Sequence, residues 1–444
     1  MELPAQAQTV INQLNTFGHE AYIVGGCVRD SLLGTEPHDW DIATSALPEE
    51  IKRSLAGFRL VETGIKHGTV TALVDGMPIE ITTYRVDGEY SDNRHPDCVR
   101  FTGSLKDDLA RRDFTINALA YNHKDGIIDC FGGKDDLLHK EIRCVGEPDL
   151  RFREDGLRIL RALRFAAVLG FSIEEATSES ILKNRERLKN IASERIRTEF
   201  VKLICGKNAE SVLRDYREVL EEFLPEIGGM AGFPQKNPYH IYDVWEHTLK
   251  STAAVAPSPV LRITMLLHDI GKPLCFTQDE KGVGHFRGHN IKSVEIALAV
   301  LQRLRFDNET AKKIETLVQY HDIALLPDEK LLRRHLNRFG KETVRLLLQV
   351  KEADILAQNP KFISRLDSLK KAEKILNYIL ASNQCFTLKD MKINGDNLIS
   401  LGFPKDKKIG ITLAALLDEI MDERCPNEHG ALMNRARLMK DEII

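Results

Sequence analysis

The texture of the chain changes once, near residue 148, and that change limits the possible folds more than any other feature of the sequence. Before it, short apolar runs alternate with short helical stretches. Residues 21–24 form an expected strand running into Gly25-Gly26, 28–33 a helix and 38–43 a strand. Residues 70–74 and 79–85 are expected strands joined by an Asp75-Gly76 turn, a strong hairpin signal. The polar stretch VDGEYSDNRHPDC that follows has little periodicity and is expected to be a loop. After residue 148 the pattern is helical almost throughout. In DGLRILRALRFAAVLG, Leu157, Leu160, Leu163, Ala167 and Leu169 recur at near-helical spacing, Ile159 and Phe165 widen the apolar stripe, and arginines fill the gaps. At 444 residues the chain exceeds one ordinary domain. The expected class is therefore α+β. A mixed-sheet head over 1–148 precedes all-helical parts at 149–225, 238–350 and 360–444. A proline- and glycine-rich break at 225–238 separates the first two of these, and GITLAALLDEIMDE is expected as the final helix.

Composition narrows the function classes. The chain is 43% apolar and 29% charged, and no apolar run approaches the ~20 residues that span a bilayer. The start MELPAQAQTV lacks the basic-then-apolar pattern of a secretory signal, so a cytoplasmic protein with no membrane partner is expected. The eight cysteines are scattered without a C-x-x-C pair, which argues for reduced thiols rather than a disulfide framework or zinc finger. A net charge of -4 does not by itself suggest a nucleic-acid partner. Arginines nevertheless cluster at Arg151, Arg153, Arg158, Arg161 and Arg164, and again at Arg185, Arg187, Arg195 and Arg197. They form either a basic surface or a set of ion pairs with neighbouring glutamates.

Asp39-Trp40-Asp41 falls in the strand expected over 38–43, where alternation sends both carboxylates to one face. Such a pair repels itself unless a cation intervenes, and magnesium, which prefers oxygen ligands and keeps positions open for phosphate and water, fits it. A solvated pair is the bland alternative. Gly25-Gly26 ahead of a helix suits the close approach of a triphosphate, and Arg29 is placed to neutralise it. Glu80, on the second hairpin strand, is a candidate third carboxylate.

These blocks resemble the class II tRNA nucleotidyltransferases and their poly(A) polymerase relatives, within the polymerase beta superfamily. The resemblance is carried by YIVGGCVRDSLLG (22–34), HDWDIAT (38–44), ITTYR (81–85), DLARRDFTINALAYN (108–122) and EDGLRILRALRFAAVLGF (154–171). It implies a polymerase beta-like nucleotidyltransferase head followed by helical neck and body domains. It also implies Asp39 and Asp41 as ligands of a two-magnesium site, and nucleotide contacts at Gly25, Gly26, Arg29, Arg112, Arg158, Arg161 and Arg164. Asp155 and Arg158, three residues apart, are expected to share a helix face and interlock. The family uses this acceptor and donor pair to read the base of CTP and then ATP, where a bare reading gives an ordinary ion pair. The implied reaction is template-independent addition of CCA to the 3′ end of tRNA, with pyrophosphate released and Arg112 assisting at the phosphates. Helices of the tail are implied to hold the tRNA elbow.

The element Asp87-Gly88-Glu89-Tyr90-Ser91-Asp92-Asn93-Arg94-His95-Pro96 resembles the flexible segment of CCA-adding members, with His95 where arginine is usual. It favours full CCA addition over the alternatives, an A-adding enzyme or a poly(A) polymerase. A non-catalytic RNA-binding protein is the alternative of another class. A second block of histidines, His247, His268-Asp269, His289 and His321-Asp322, resembles an HD phosphohydrolase domain. Residues of these types on separate helices can converge on one or two divalent metals. His240 and His285 are expected to be bystanders.

Overall fold

The protein is described by a computed structural model covering residues 1–62, 64–88 and 99–443. It divides into two compact units, 1–228 and 229–444. In the first unit, β1 (Ala21–Val24), β2 (Asp41–Thr44), β3 (Arg59–Val61), β4 (Thr69–Val74) and β5 (Met77–Thr83) join one sheet. The short ribbon β6 (Arg85–Asp87) and β7 (Val99–Phe101) flanks the segment that carries the expected flexible element. Residues 89–98, His95 included, lie outside the described residues. β8 (Leu119–Asn122) and β9 (Gly126–Asp129) complete a seven-stranded sheet of order β3-β4-β5-β2-β1-β8-β9. The expected hairpin is β4 and β5, with Asp75 and Gly76 both at positive φ, as a two-residue turn between twisted strands requires.

The register places the site. β1 is buried along its whole length, as a central strand should be, and runs antiparallel to β2 with Ile23 opposite Ile42. The C-terminal end of β1, where Gly25 opens α2 (Gly26–Leu32), therefore lies beside the N-terminal end of β2. β5 runs parallel to β2 with Glu80 opposite Asp41. The strand is shorter than the 38–43 expected from the sequence. β2 begins at Asp41, so Asp39 and Trp40 precede the strand. Extending the register beyond Ile42 pairs Asp41 with Val24, and the chain then turns away at Gly25, leaving Trp40 and Asp39 without a partner on β1.

Helices cover and extend the sheet: α1 (Ala5–Thr16), α3 (Pro48–Ser54), α4 (Leu105–Ala110) and α5 (Gly133–His139). The helical neck follows as α6 (Pro148–Glu154), α7 (Leu157–Phe165), α8 (Glu175–Asn184), α9 (Ser193–Ile204), α10 (Ala209–Asp215) and α11 (Arg217–Glu221). The stripe foreseen in α7 is its buried side: Leu157, Ile159, Leu160, Leu163 and Phe165 are all in the core. The helix was expected to run on through Gly170, but it continues beyond Phe165 as a π-helical turn, Ala166–Gly170.

The second unit holds α12 (Val244–Ala254), α13 (Pro259–Leu267), α14 (His289–Arg303), α15 (Asn308–Tyr320) and α16 (Glu329–Leu356), the last kinked at Gly340. α17 (Arg365–Ala381), α18 (Gly395–Ser400), α19 (Lys407–Met421) and α20 (His429–Ile443) complete it. The boundary expected at residue 350 falls inside α16. Arg333 and Arg334 of that helix also pair with Glu423 and Asp422 beyond α19, tying the terminal helices to it. GITLAALLDEIMDE is not the final helix: α20 follows it and packs Leu432, Ala436 and Met439 into the same core. Among the described residues no helix is long and apolar enough to cross a membrane.

Gly133, at the start of α5, fixes how closely that helix meets the loop after Arg112. A methyl group there would lie 2.2 Å from the Thr115 carbonyl oxygen. Gly133→Ala should therefore destabilise the first unit by about 1–3 kcal/mol, the range for overpacking a filled core. Chemical denaturation of the purified variant checks this, and an unchanged midpoint would contradict it.

Candidate functional sites

The first site lies at the end of the central strands, where β1 ends and β2 begins. Asp41 is half-buried beside Glu80 on the neighbouring strand, while Asp39 is exposed just before it. Burial, then the charge of Glu80 and more weakly Asp39, push the Asp41 carboxyl up to about 6 against the pull of Arg112. A cluster that holds back its own ionisation is what a cation would relieve, so the donor set fits a divalent ion. The three carboxylates do not converge on one point: among the described residues, the two groups whose ligand atoms lie within 4.8 Å of one another are both in the second unit.

Gly25 borders these carboxylates with φ 80°, and a Cβ there would stand 2.9 Å from Arg112 Nη1. Only glycine satisfies both conditions, which brings the backbone ahead of α2 close to that guanidinium. Arg29, mostly buried, donates from Nη1 to Asn117 Oδ1 at 2.6 Å and from Nε to Asp30 Oδ1 at 2.8 Å. Asn117 Nδ2 donates in turn to Asp113 Oδ1 at 3.0 Å, and the other Asp113 oxygen accepts from Arg161 Nε at 2.8 Å. Burial alone would raise the Asp113 pKa, but Arg161 and Asn117 outweigh it and hold the carboxyl well below the usual carboxylate range. Arg164 pairs with buried Glu199, its Nε 2.6 Å from Oε2. Arg29, Arg161 and Arg164, three of the expected nucleotide contacts, thus meet around Asp113 and Glu199 at the junction of α2, α7 and α9.

Asp155 and Arg158 are not on one helix face, which corrects the expectation. Asp155 ends α6 in extended geometry (φ -142°, ψ 105°), and its Oδ1 caps α7 by accepting from Leu157 N at 3.0 Å. Its carboxylate accepts from Arg195 Nη2 at 2.7 Å, and Arg158 pairs with Glu154. The helix was read as continuous from Asp155, but the chain breaks at Asp155-Gly156 to start a new one.

The second site is in the other unit. His247 on α12, His268 and Asp269 at the end of α13, His289 at the start of α14 and His321 after α15 are buried together. Their Nδ1 atoms lie 2.7–3.2 Å from the backbone carbonyls of Ala357, Met265, Phe286 and Val318 respectively, acceptors that fix Nδ1 as the donor. Nε2 is thereby directed inward on all four rings. His247 Nε2 stands 3.3 Å from His268 Nε2, and His289 Nε2 stands 3.1 Å from His321 Nε2. Two lone pairs cannot face each other so closely unless a proton or a metal ion lies between them. Burial lowers the His247 pKa, but Asp269 and Asp354 overcome it and lift the ring to about 9, while burial pushes His321 down to about 4. Neither Asp269 oxygen accepts a well-directed hydrogen bond, although Lys272 Nζ lies 2.6 Å from Oδ2.

Ligand atoms gather in two groups, His247, His268 and Asp354 in one and Asp269, His289 and His321 in the other. Asp354 was missed in the sequence. Its signal was a carboxylate at a core position of α16, in helical register with buried Leu347 and Val350. Asp322 stands outside both groups, with Oδ2 3.5 Å from His289 and His321 Nε2 and Oδ1 3.2 Å from Lys351 Nζ. His285 is a bystander paired with Asp279 at the surface, whereas the His240 ring stands 4.7 Å from that of His247, edge to face. A cavity of about 570 Å³ opens over the cluster, with Tyr239, Lys272 and Arg287 among its lining residues.

Comparison with known proteins places the chain. The Poly A polymerase head domain matches residues 21–143, the "Probable RNA and SrmB-binding site of polymerase A" matches 170–229, and tRNA nucleotidyltransferase domain 2 matches 289–436. The CCA-adding enzyme of Latilactobacillus sakei is 34% identical over 445 aligned residues, covering 98% of both chains. The chain belongs to the CCA-adding enzyme family. The CCA-adding enzyme of Lactobacillus delbrueckii is 50% identical over 229 residues, so that match spans 51% of this chain and only 57% of the relative. The Bacillus stearothermophilus CCA-adding enzyme, solved in complex with CTP, superimposes with a TM-score of 0.73 at 30% identity and covers 100% of each chain. The polymerase beta-like head that the resemblance implied is thus the family's fold.

In this family member Asp41 binds its proton more tightly when folded, at about 6 against 3.8 for the free side chain. The folded state gains from that proton below pH 4 and loses the gain as pH rises through 6. With chelator present, Asp41→Asn should be more stable than the parent by about 1–3 kcal/mol at pH 8 and equal to it near pH 4. Denaturation at the two pH values checks this, and equal stability at pH 8 would contradict it.

Proposed function

We propose that the first unit adds CCA to the 3′ end of tRNA from CTP and ATP, with magnesium at Asp39 and Asp41 and with Glu80 beside them. The observation that carries the reading is the self-repelling carboxylate pair Asp41 and Glu80 on adjacent central strands, with the charge of Arg112 acting on Asp41 and Gly25 packed against that arginine, in a chain of this family. The 3′ hydroxyl of the RNA attacks the α-phosphorus of the nucleotide, a new O–P bond forms, and the bond to pyrophosphate breaks. Magnesium, when bound, supplies the charge that favours the alkoxide and the leaving oxygen. Arg29 and Arg112 hold the phosphates, and the amides of Gly25 and Gly26 allow their close approach. Arg161 and Arg164 contact the nucleotide. Asp155 and Arg158 address the base edge after exchanging Arg195 and Glu154 for it. Substrates of this kind place the work in the cytoplasm, and helices of the second unit hold the tRNA elbow by its phosphates.

A second reading concerns the other unit, as an HD-type centre. The facing Nε2 atoms and the under-bonded Asp269 favour one or two divalent metals on His247, His268, Asp354, Asp269, His289 and His321, with Asp322 at the margin. A phosphate ester is the substrate class such a centre hydrolyses, with Lys272 and Arg287 as cations for it.

Labelled CTP supplied with magnesium and a tRNA transcript lacking CCA tests the first reading. Asp39→Ala and Asp41→Ala should each lower incorporation at least about 1000-fold in protein that still unfolds cooperatively, as loss of a catalytic metal ligand does. Retained incorporation would contradict the assignment. For the second reading, metal analysis after equilibration should find one to two transition-metal ions per chain. His268→Ala should lose them and leave CTP incorporation within about twofold, since surface or remote changes contribute little to a separate site. A metal-free parent protein would contradict it.

A further inference from the structure

Phe165 closes α7 and is 5% exposed. In the sequence it belongs to an apolar stripe, and filling the core is all that its position requires. In the structure three guanidinium groups surround its ring: the Cζ atoms of Arg164, Arg29 and Arg161 lie 3.9, 4.9 and 5.6 Å from the ring centroid. A cation within about 6 Å of an aromatic ring is drawn to its quadrupole, and the attraction strengthens when water is excluded. Phe114 fixes the ring from another side, edge to face at 5.8 Å and 82°. The helix then widens into its π-helical turn, a geometry that recurs at functional positions.

The carboxylates alone leave this arrangement incomplete. Asp113 and Asn117 accept hydrogen bonds from Arg161 and Arg29, and Glu199 ion-pairs with Arg164 without a well-directed hydrogen bond. A ring acts on a guanidinium without occupying its N–H groups. A guanidinium held in this way can exchange a carboxylate or amide oxygen for a phosphate or base oxygen without leaving its place. An aliphatic side chain of similar volume would fill the same space and supply no such hold.

We propose that Phe165 is a positioning residue of the nucleotide site, a shared aromatic platform that holds Arg29, Arg161 and Arg164 together while their N–H groups pass from protein acceptors to the incoming nucleotide. This rests on the reading of those arginines as nucleotide contacts. The ring acts through the three arginines, so its effect is on nucleotide affinity.

The full chain is assayed with a tRNA transcript lacking CCA, and KM and kcat are measured separately for CTP and ATP. Phe165→Leu should raise KM for both nucleotides about tenfold, the order expected for losing desolvated cation–π contacts, with kcat nearly unchanged. Phe165→Tyr should restore most of the affinity. Replacing Phe165 by a series of increasingly fluorinated phenylalanines keeps the packing and progressively removes the quadrupole, and KM should climb with each fluorine. This series keeps the test decisive if the leucine variant folds poorly. A KM that ignores fluorination, or a leucine variant that loses kcat and Tm at unchanged KM, would overturn the proposal and leave Phe165 a packing residue. CTP binding to the parent and to Arg164→Ala, measured by calorimetry without tRNA, separates the underlying reading. Equal affinities there would remove Arg164 from the nucleotide site, and the platform with it.

Discussion

A carboxylate kept charged inside the protein is the constraint on which the first unit depends. Asp113 follows the paired arginines 111 and 112, and both of its oxygens are committed, one to Asn117 and through it to Arg29, the other to Arg161. Burying a charge is costly unless it is paired and fully hydrogen-bonded. Asp113 therefore requires α2, the loop before β8 and α7 to meet in one arrangement. The same meeting gathers the arginines assigned to the proposed nucleotide site and joins the sheet to the helical neck. Glu199 on α9 adds a second buried carboxylate, ion-paired with Arg164. Of the clustered arginines, Arg151, Arg153, Arg158, Arg161, Arg164, Arg185 and Arg195 pair with acidic neighbours, and Arg161 and Arg164 are gathered with Arg29 around Phe165.

The second unit faces the opposite problem, an excess of acceptors. Four imidazoles whose Nδ1 atoms are committed to backbone carbonyls direct four Nε2 atoms inward onto two buried aspartates. Protons can balance that set, as the elevated pKa of His247 indicates, and a metal pair would balance it by displacing them. Five helices supply the ligands, so their packing and the ion would stabilise one another. α16 contributes Asp354 at one end and grips the terminal helices through Arg333 and Arg334 at the other.

Much of this was legible from the residues. The Asp75-Gly76 hairpin, the apolar β1 and the stripe of α7 follow from local periodicity, which survives folding because each element buries one side. What escaped depends on partners distant in sequence. The strand expected at 38–43 was shortened because β1 ends at Gly25 and leaves Asp39 nothing to pair with. The Asp155 and Arg158 pair failed because Arg195, 40 residues on, and Glu154 compete for them. Phe165 was indistinguishable from any core aromatic until three arginines were seen around it, and Asp354 looked like one more charge on a long helix. Such competitions are settled by tertiary packing, which spacing does not encode.

The central claim is that the first unit builds CCA and stops. The most direct measurement incubates the protein and magnesium with three tRNA transcripts, ending before the first C, after the second C, and after the terminal A. CTP and ATP are both present, and products are read at single-nucleotide resolution. The account predicts growth by C, C and A on the first transcript, one A on the second and none on the third. An A tract on any transcript, addition of A alone to the second with nothing on the first, or no growth at all would contradict it.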